Sequence, residues 1–314
     1  MNPELSVILV TCGDLAVLRL TLGYLAAQTV RERIEIIVAA PRELPAEEGI
    51  RVVVVGEVKT LAGAQVAAIR HARAPVVALG EDHSFPAPNW AEKLLEAHQA
   101  GHAAVAPLLL NANPRTLRSW ANYLLHFGRY GDPAVAGVVE WLPWHNTSYK
   151  RDVLLGFGER LPLYIAVEGL LHEALRAQGH TLFLHAGTST RHINFSRFGP
   201  FLIQTMCGGR LFSAARAQYH GWSLAKRVVY SMATPLIPVV RCGRILRDIR
   251  ARPQQRHLLP RVIPLLAAGL VSHAFGEILG NLFGLRGTEE MYLLYETGRL
   301  THVTAADRKE LTGA

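Results

Sequence analysis

Through roughly the first two hundred residues, short apolar runs alternate with stretches of helical periodicity. Ser6, Val7, Ile8, Leu9 and Val10 read as a buried strand, since a short run rich in β-branched residues suits a sheet covered on both faces. Thr11, Cys12, Gly13 and Asp14 then form a turn, with Asp14 placed to cap the next helix. Leu15, Leu18, Leu22 and Leu25 recur at helical spacing, up to about residue 27. Residues 34–38 and 52–55 repeat the strand pattern. A helix over about 62–71 leads into the continuous apolar run 74–80, followed by a helix over 90–98 and a strand over 103–106. Alternation of this kind through short loops predicts an α/β fold, with a mainly parallel sheet and helices on both faces.

The pattern loosens in residues 111–145, which carry Trp120, Tyr123, Phe127, Tyr130, Trp141 and Trp144. This segment is either a lid facing an acceptor or an ordinary αβ excursion whose aromatics are core. From about Phe195 arginines multiply around two apolar stretches, 228–240 and 262–285. Prolines or polar residues interrupt both, so neither offers the ~20 unbroken apolar residues of a spanning helix. Interfacial or re-entrant helices in the headgroup region are expected, the alternative being a buried helical subdomain with a basic rim. His273, Glu277 and Asn281 share one helical stripe, suited to a polar lipid group or to hydrogen bonds within a helix pair. The expected division is residues 1–198, the α/β domain, and 199–314, an α-helical region.

Charge sharpens this. The 314 residues are 50% hydrophobic and 18% charged, with mean hydropathy +0.16 and net charge +8. A basic balance implies an acidic partner. The arginines interleave with apolar prolyl segments and no groove-reading element is present, which favours an anionic membrane surface over nucleic acid. Cys12, Cys207 and Cys242 are too scattered for a disulfide framework or zinc cluster, which fits a reducing compartment. The first five residues lack the basic start of a secretory leader. The expected location is the cytoplasmic face of the inner or plasma membrane, peripheral or monotopic.

Candidate chemistry begins where the 74–80 run ends, at Glu81, Asp82 and His83. Clustered oxygen and nitrogen donors suit a divalent cation, and the carboxyl ends of strands are where open α/β sheets bind ligands. The plainer alternative is a solvated polar loop. Glu168 opens a helix, where the dipole alone would stabilise a carboxylate. His192 follows a strand that begins near residue 181.

Taken in order, these pieces resemble the family 2 glycosyltransferases, of GT-A fold, over roughly residues 4–195. Ser6 to Thr11 looks like the family's opening strand, and the helix ending at Ala26, Ala27, Gln28 and Thr29 like its first helix. Ala78 to His83, with Pro86, Pro88 and Trp90 behind, looks like the D-x-D strand end. Asn146 to Arg151, followed by Gly156, Phe157, Gly158 and Glu159, is similar to the family's N-x-A-x-R-R and GGFDE segment. Val167 and Glu168, then Gly179, His180 and His192, are similar to its ED and histidine tail.

The resemblance implies a metal-dependent, inverting transferase that moves a sugar from a nucleotide-diphosphate donor to an acceptor hydroxyl, on a glycan or lipid-linked acceptor. Glu81, Asp82, His83 and His192 would hold Mn²⁺ or Mg²⁺, with Glu81 and Asp82 also at the donor. Thr11, Cys12 and Gly13 would line the nucleotide. Glu168 would be the catalytic base, and Trp144, His145 and Asn146 would face the acceptor. Two segments depart from the family: Ala39, Ala40 and Pro41 stand where Asp-Asp contacts the base, and Val66 where Asn is common. They leave an alternative, a catalytically silent GT-A module acting as a membrane-bound binding or scaffold protein. A nucleotidyltransferase would want a Gly-rich basic loop after the first strand, which Thr11 to Asp14 is not.

Overall fold

The computed structural model describes residues 2–12, 15–45, 49–143 and 145–313, so Gly13, Asp14 and Trp144 lie outside the described residues. In chain order the elements are β1 (Leu5–Val10), α1 (Leu15–Ala26), β2 (Ile34–Ala40), β3 (Ile50–Val54), α2 (Leu61–His71), β4 (Val76–Leu79), β5 (Ser84–Pro86), α3 (Trp90–Gln99), β6 (Ala104–Asn111), α4 (Leu117–His126), β7 (Gly137–Val139), β8 (Ser148–Lys150), α5 (Arg151–Leu155), α6 (Leu161–Ala166), α7 (Glu168–Ala177) and β9 (Leu182–His192). The helices α8 (Phe198–Tyr219), α9 (Leu224–Ala233), α10 (Leu236–Ala251), α11 (Ile263–Phe283), α12 (Thr288–Thr297) and α13 (Ala305–Thr312) complete the chain. The chain forms two compact units: Met1–Leu110 with Tyr130–His192, and Asn111–Arg129 with Ile193–Ala314.

The first unit is a mixed α/β sheet of nine strands, in the order β3-β2-β1-β4-β8-β6-β9-β5, with β7 also paired to β9. The expected parallel part is β3-β2-β1-β4, with Val7 opposite both Ile36 and Ala78. All six residues of β1 are buried. One face packs Leu5, Val7 and Leu9 against Leu18, Leu22 and Leu25 of α1 and Trp90 and Leu94 of α3. Each such side chain contributes about 1.5–3 kcal/mol on burial. Thr60 caps α2, its hydroxyl accepting from the Gly63 N–H at 3.0 Å.

The other half is antiparallel and built partly from three-residue strands. β8 runs antiparallel to β4 and to β6, and β5 and β7 antiparallel to β9. Residues 84–86 form β5 because β9 supplies its backbone partners. β4 stops at Leu79, short of the expected end. A Cβ at Gly80 would lie 2.9 Å from Leu9 Cδ2, so a larger residue there would have to displace the Leu9 side chain. Glu81, Asp82 and His83 therefore sit in a turn closed by Ser84 N–H to Glu81 O at 3.3 Å, and strand parity does not set their directions.

The second unit is helical. Its long helices α8 and α11 touch backbone to backbone: a Cβ on Gly209 would collide with the His273 carbonyl, on Gly276 with that of Met206, and on Gly280 with that of Arg210. Residues 111–129 belong to this unit. Asn113 Nδ2 donates to the Asn194 carbonyl at 2.8 Å and the Asn194 N–H returns to Asn113 Oδ1 at 2.8 Å, while α4 packs on α11. Where the sequence suggested one break after residue 198, the first unit ends at residue 110, resumes at 130 and ends again at 192. Tyr123, Phe127 and Tyr130 are buried, as the core reading of those aromatics requires. The stripe of His273 and Glu277 faces into the helix pair, with His273 Nδ1 3.1 Å and Arg216 4.0 Å from Glu277. Helix α11 is continuous because Pro264 stands in its first turn, where no N–H is needed. By length and composition it could cross a membrane, although 39% of its most apolar window is buried in the protein.

Candidate active site

The turn after β4 and the end of β9 meet because Ser84 stands opposite His192 in the β5–β9 ladder. This register brings His192 to Glu81 and His83, and all three are buried. One donor atom from each of the three lies within 4.8 Å of the others, close enough to hold a single metal ion. His83 Nε2 is 3.6 Å from Glu81 Oε1, and His192 Nε2 is 3.4 Å from Glu81 Oε2. The two imidazoles meet edge to face, centroids 4.9 Å apart.

Asp82 is turned from this group toward the other edge of His83, its Oδ1 2.8 Å from Nδ1. A carboxylate on Nδ1 fixes the tautomer that leaves Nε2 as the ligand atom. Its backbone carbonyl accepts from the Thr21 hydroxyl at 2.5 Å, anchoring the turn to α1. Glu81 Oε2 accepts from Asn146 Nδ2 at 2.6 Å and from the Ser84 hydroxyl at 2.9 Å. Burial pushes the Glu81 carboxyl upward, but His192 and His83 beside it outweigh burial and hold it well below the usual carboxylate range.

A second acid lies beyond Asn146. Glu168, the first residue of α7, is 1% exposed. Its Oε1 accepts from the His145 N–H at 2.9 Å, with the His145 ring at 3.3 Å, and its Oε2 accepts from the Tyr149 hydroxyl at 2.8 Å. The Tyr149 oxygen is also 3.0 Å from His172 Nε2. Burial and then the Glu168 charge push the Tyr149 phenol well above its ordinary value, so it stays a donor. Burial lowers His172 to about 4, against the pull of Glu168, so its ring is neutral at pH 7.

Residues 145–149 thus serve both acids. His145 and Asn146 have φ of 63° and 54°, in the left-handed region. Two successive non-glycine residues there cost of order 1–3 kcal/mol each and persist where surrounding structure imposes them. Here the Asn146 N–H donates to Leu79 O at 2.8 Å and the Leu79 N–H to Thr147 O at 3.0 Å, which locks the segment to β4.

Of the residues singled out from sequence, the structure gathers Glu81, His83 and His192, sets Asp82 behind His83, and places Asn146 on Glu81 and His145 on Glu168. Thr11 and Cys12 follow β1 at the same sheet edge, with the Thr11 N–H on Ala39 O at 3.0 Å. Tyr149, His172 and Ser84 were not foreseen. The i, i+4 spacing of Glu168 and His172 on one helix was the signal for His172. Nothing in sequence pairs Tyr149 with Glu168.

The nine-stranded α/β sheet has the GT-A fold, which it shares with a solved structure described below. More closely, residues 6–156 match glycosyl transferase family 2, which supports a glycosyltransferase. Among solved structures, the mannosyltransferase PcManGT of Pyrobaculum calidifontis in complex with GDP-Man and Mn²⁺ is 14% identical, with a TM-score of 0.50 and 88% of each chain covered. TarS 1-349 of S. aureus in complex with UDP is 10% identical, with a TM-score of 0.45, covering 88% of this chain and 90% of that one. No curated protein sequence matches the chain.

Proposed function

We propose that this chain is a metal-dependent inverting glycosyltransferase, moving a sugar from a nucleotide-diphosphate donor to the hydroxyl of a glycan or lipid-linked acceptor at the cytoplasmic face of a membrane. The observation that carries the reading is the convergence of Glu81, His83 and His192 at the sheet edge. A divalent cation held by these three would stabilise the charge that grows on the leaving diphosphate. One carboxylate and two imidazoles suit Mn²⁺ better than Mg²⁺, and the Pyrobaculum enzyme was solved with Mn²⁺.

The chain's own residues supply the rest. Asn146 and Ser84 fix the Glu81 carboxylate, and Asp82 fixes the His83 ring. Thr11 and Cys12 border the nucleotide. Glu168 takes the proton of the acceptor hydroxyl as that oxygen attacks opposite the leaving group, which inverts the anomeric carbon. His145 and Tyr149 hold the carboxylate for that step, and the neutral His172 keeps Tyr149 aimed at it. General base catalysis contributes about 10²–10⁴-fold.

Nucleotide-sugar turnover with Mn²⁺ tests the reading. Glu168→Gln should lose about 10²–10⁴-fold in kcat with donor affinity retained. Unchanged kcat in that variant would remove Glu168 as base. The second reading, a silent GT-A binding module, is favoured by the hydrogen bonds already made to both Glu168 oxygens and by Ala39 and Ala40 at the base-contact positions. It predicts donor binding with no turnover in the unaltered protein.

A further inference from the structure

Helices α9 and α10 are built inside out. The one side chain that α9 buries is Ser231, whose hydroxyl satisfies itself on the Arg227 carbonyl one turn back, at 2.9 Å. α10 buries only Ile249. Meanwhile Leu224, Val228, Val229, Met232, Leu236, Val239 and Val240 are exposed, Met232 by 77% and Val239 by 72%. Leaving a large apolar side chain in water forgoes about 1.5–3 kcal/mol, and seven on two consecutive helices mark a binding face.

Charge says what covers it. Between Leu224 and Arg261 the sequence has nine Lys or Arg and one acid, Asp248, an excess as large as the +8 of the whole chain. Lys226, Arg244, Arg247 and Arg250 are exposed beside the apolar residues. An apolar centre flanked by cations complements the acyl and phosphate layers of an anionic bilayer. A second copy of this chain fits poorly, because a symmetric interface would set the same cations against one another.

We propose that the α9–α10 face docks on an anionic lipid bilayer as an in-plane, monotopic element. Leu224, Val228, Val229, Met232, Leu236 and Val239 enter the acyl boundary, and the flanking Lys226, Arg244 and Arg247 meet lipid phosphates. Helix α11 alone among the described helices is long and apolar enough to span, and it exposes Val271, Phe275 and Phe283, but it carries no Lys or Arg to meet lipid phosphates. Its glycines and Glu277 are committed to α8. The proposal stands on the helical unit and is independent of the transferase reading.

Flotation of the full chain with phosphatidylcholine vesicles, with and without phosphatidylglycerol, tests it. The unaltered protein should float with the anionic vesicles and be released by high salt. Arg244→Gln with Arg247→Gln should lower that partition about thirtyfold, while Val229→Asp, Met232→Asp and Val239→Asp together should abolish it with thermal melting unchanged. Three results would each overturn the proposal. One is an unaltered protein that stays with the soluble fraction, and another is an aspartate variant that floats as before or resists alkaline extraction, which would make α11 the anchor. The third is a dimer in solution that the aspartate variant converts to monomer, which would make a second copy the occupant.

Discussion

The sheet unit and the α9–α10 helices distribute polarity in opposite senses. In the sheet unit Leu5, Leu9 and Leu94 are inside, and the buried Glu81 and Glu168 are each satisfied by several hydrogen-bond or ion-pair partners. In α9 a serine is inside and the apolar side chains are out. Burying a charge costs several kcal/mol even after relaxation. The sheet unit accepts that cost twice at one edge, where strand ends and the strained residues 145 and 146 gather the partners. The contrast separates two kinds of feature: buried acids with several polar partners at the sheet edge, and exposed apolar side chains beside exposed cations on α9 and α10.

The largest expected effect breaks the polar side of this comparison. Glu81→Ala should lower Mn²⁺-dependent turnover by about 10²–10³-fold, the scale of removing one group that stabilises developing charge. Steady-state kinetics with the cation varied check it. The apolar side is tested by paired truncations: Leu94→Ala should cost about 2–5 kcal/mol, whereas Met232→Ala should change stability by less than about 0.5 kcal/mol, measured by denaturant unfolding without lipid. If Met232→Ala destabilised as much as Leu94→Ala, α9 would not be facing solvent.

Acid sharpens the account of the sheet unit. His98 and His172 have folded pKa values of about 4, below the ordinary 6.5, because burial disfavours their charged forms. The unfolded chain therefore binds protons first as pH falls. Their contribution is complete above about pH 6.5 and is lost on the way down to about pH 4, about 3 kcal/mol each at most. Urea unfolding across that range should weaken steadily, and His98→Gln should flatten the slope. A smaller effect belongs to the helix pair: Gly276→Ala should lower stability by about 1–3 kcal/mol, since its Cβ would meet the Met206 carbonyl.

Much of this was legible in the chain. The strands and helices up to residue 111 follow their hydrophobic periods, because long strands and helices bury whole faces. The three-residue strands β5, β7 and β8 are too short to show a period, and they exist because β9, β4 and β6 offer partners distant in sequence. The metal-capable residues were visible as types, but His192 reaches Glu81 only through the β5–β9 register. Asn146 read as an acceptor-side residue from its place in the family segment; that its amide nitrogen donates to Glu81 was not legible. His and Asn tolerate the left-handed region better than most residues, but two such residues in a row follow from the bonds that lock 146 and 147 to Leu79. In the helical region the basic and apolar composition suggested a lipid surface, but the exposed apolar face of α9 and α10 and the glycine contacts that commit α11 to α8 are visible only in the fold.

The central claim is that Glu81, His83 and His192 together hold a divalent cation for a nucleoside diphosphate. Calorimetric titration of Mn²⁺ into the protein with a saturating nucleoside diphosphate, comparing the unaltered chain with His192→Ala, tests it most directly. One site is expected in the unaltered chain and its loss in His192→Ala, with thermal melting retained. Equal Mn²⁺ binding by the two proteins would contradict it.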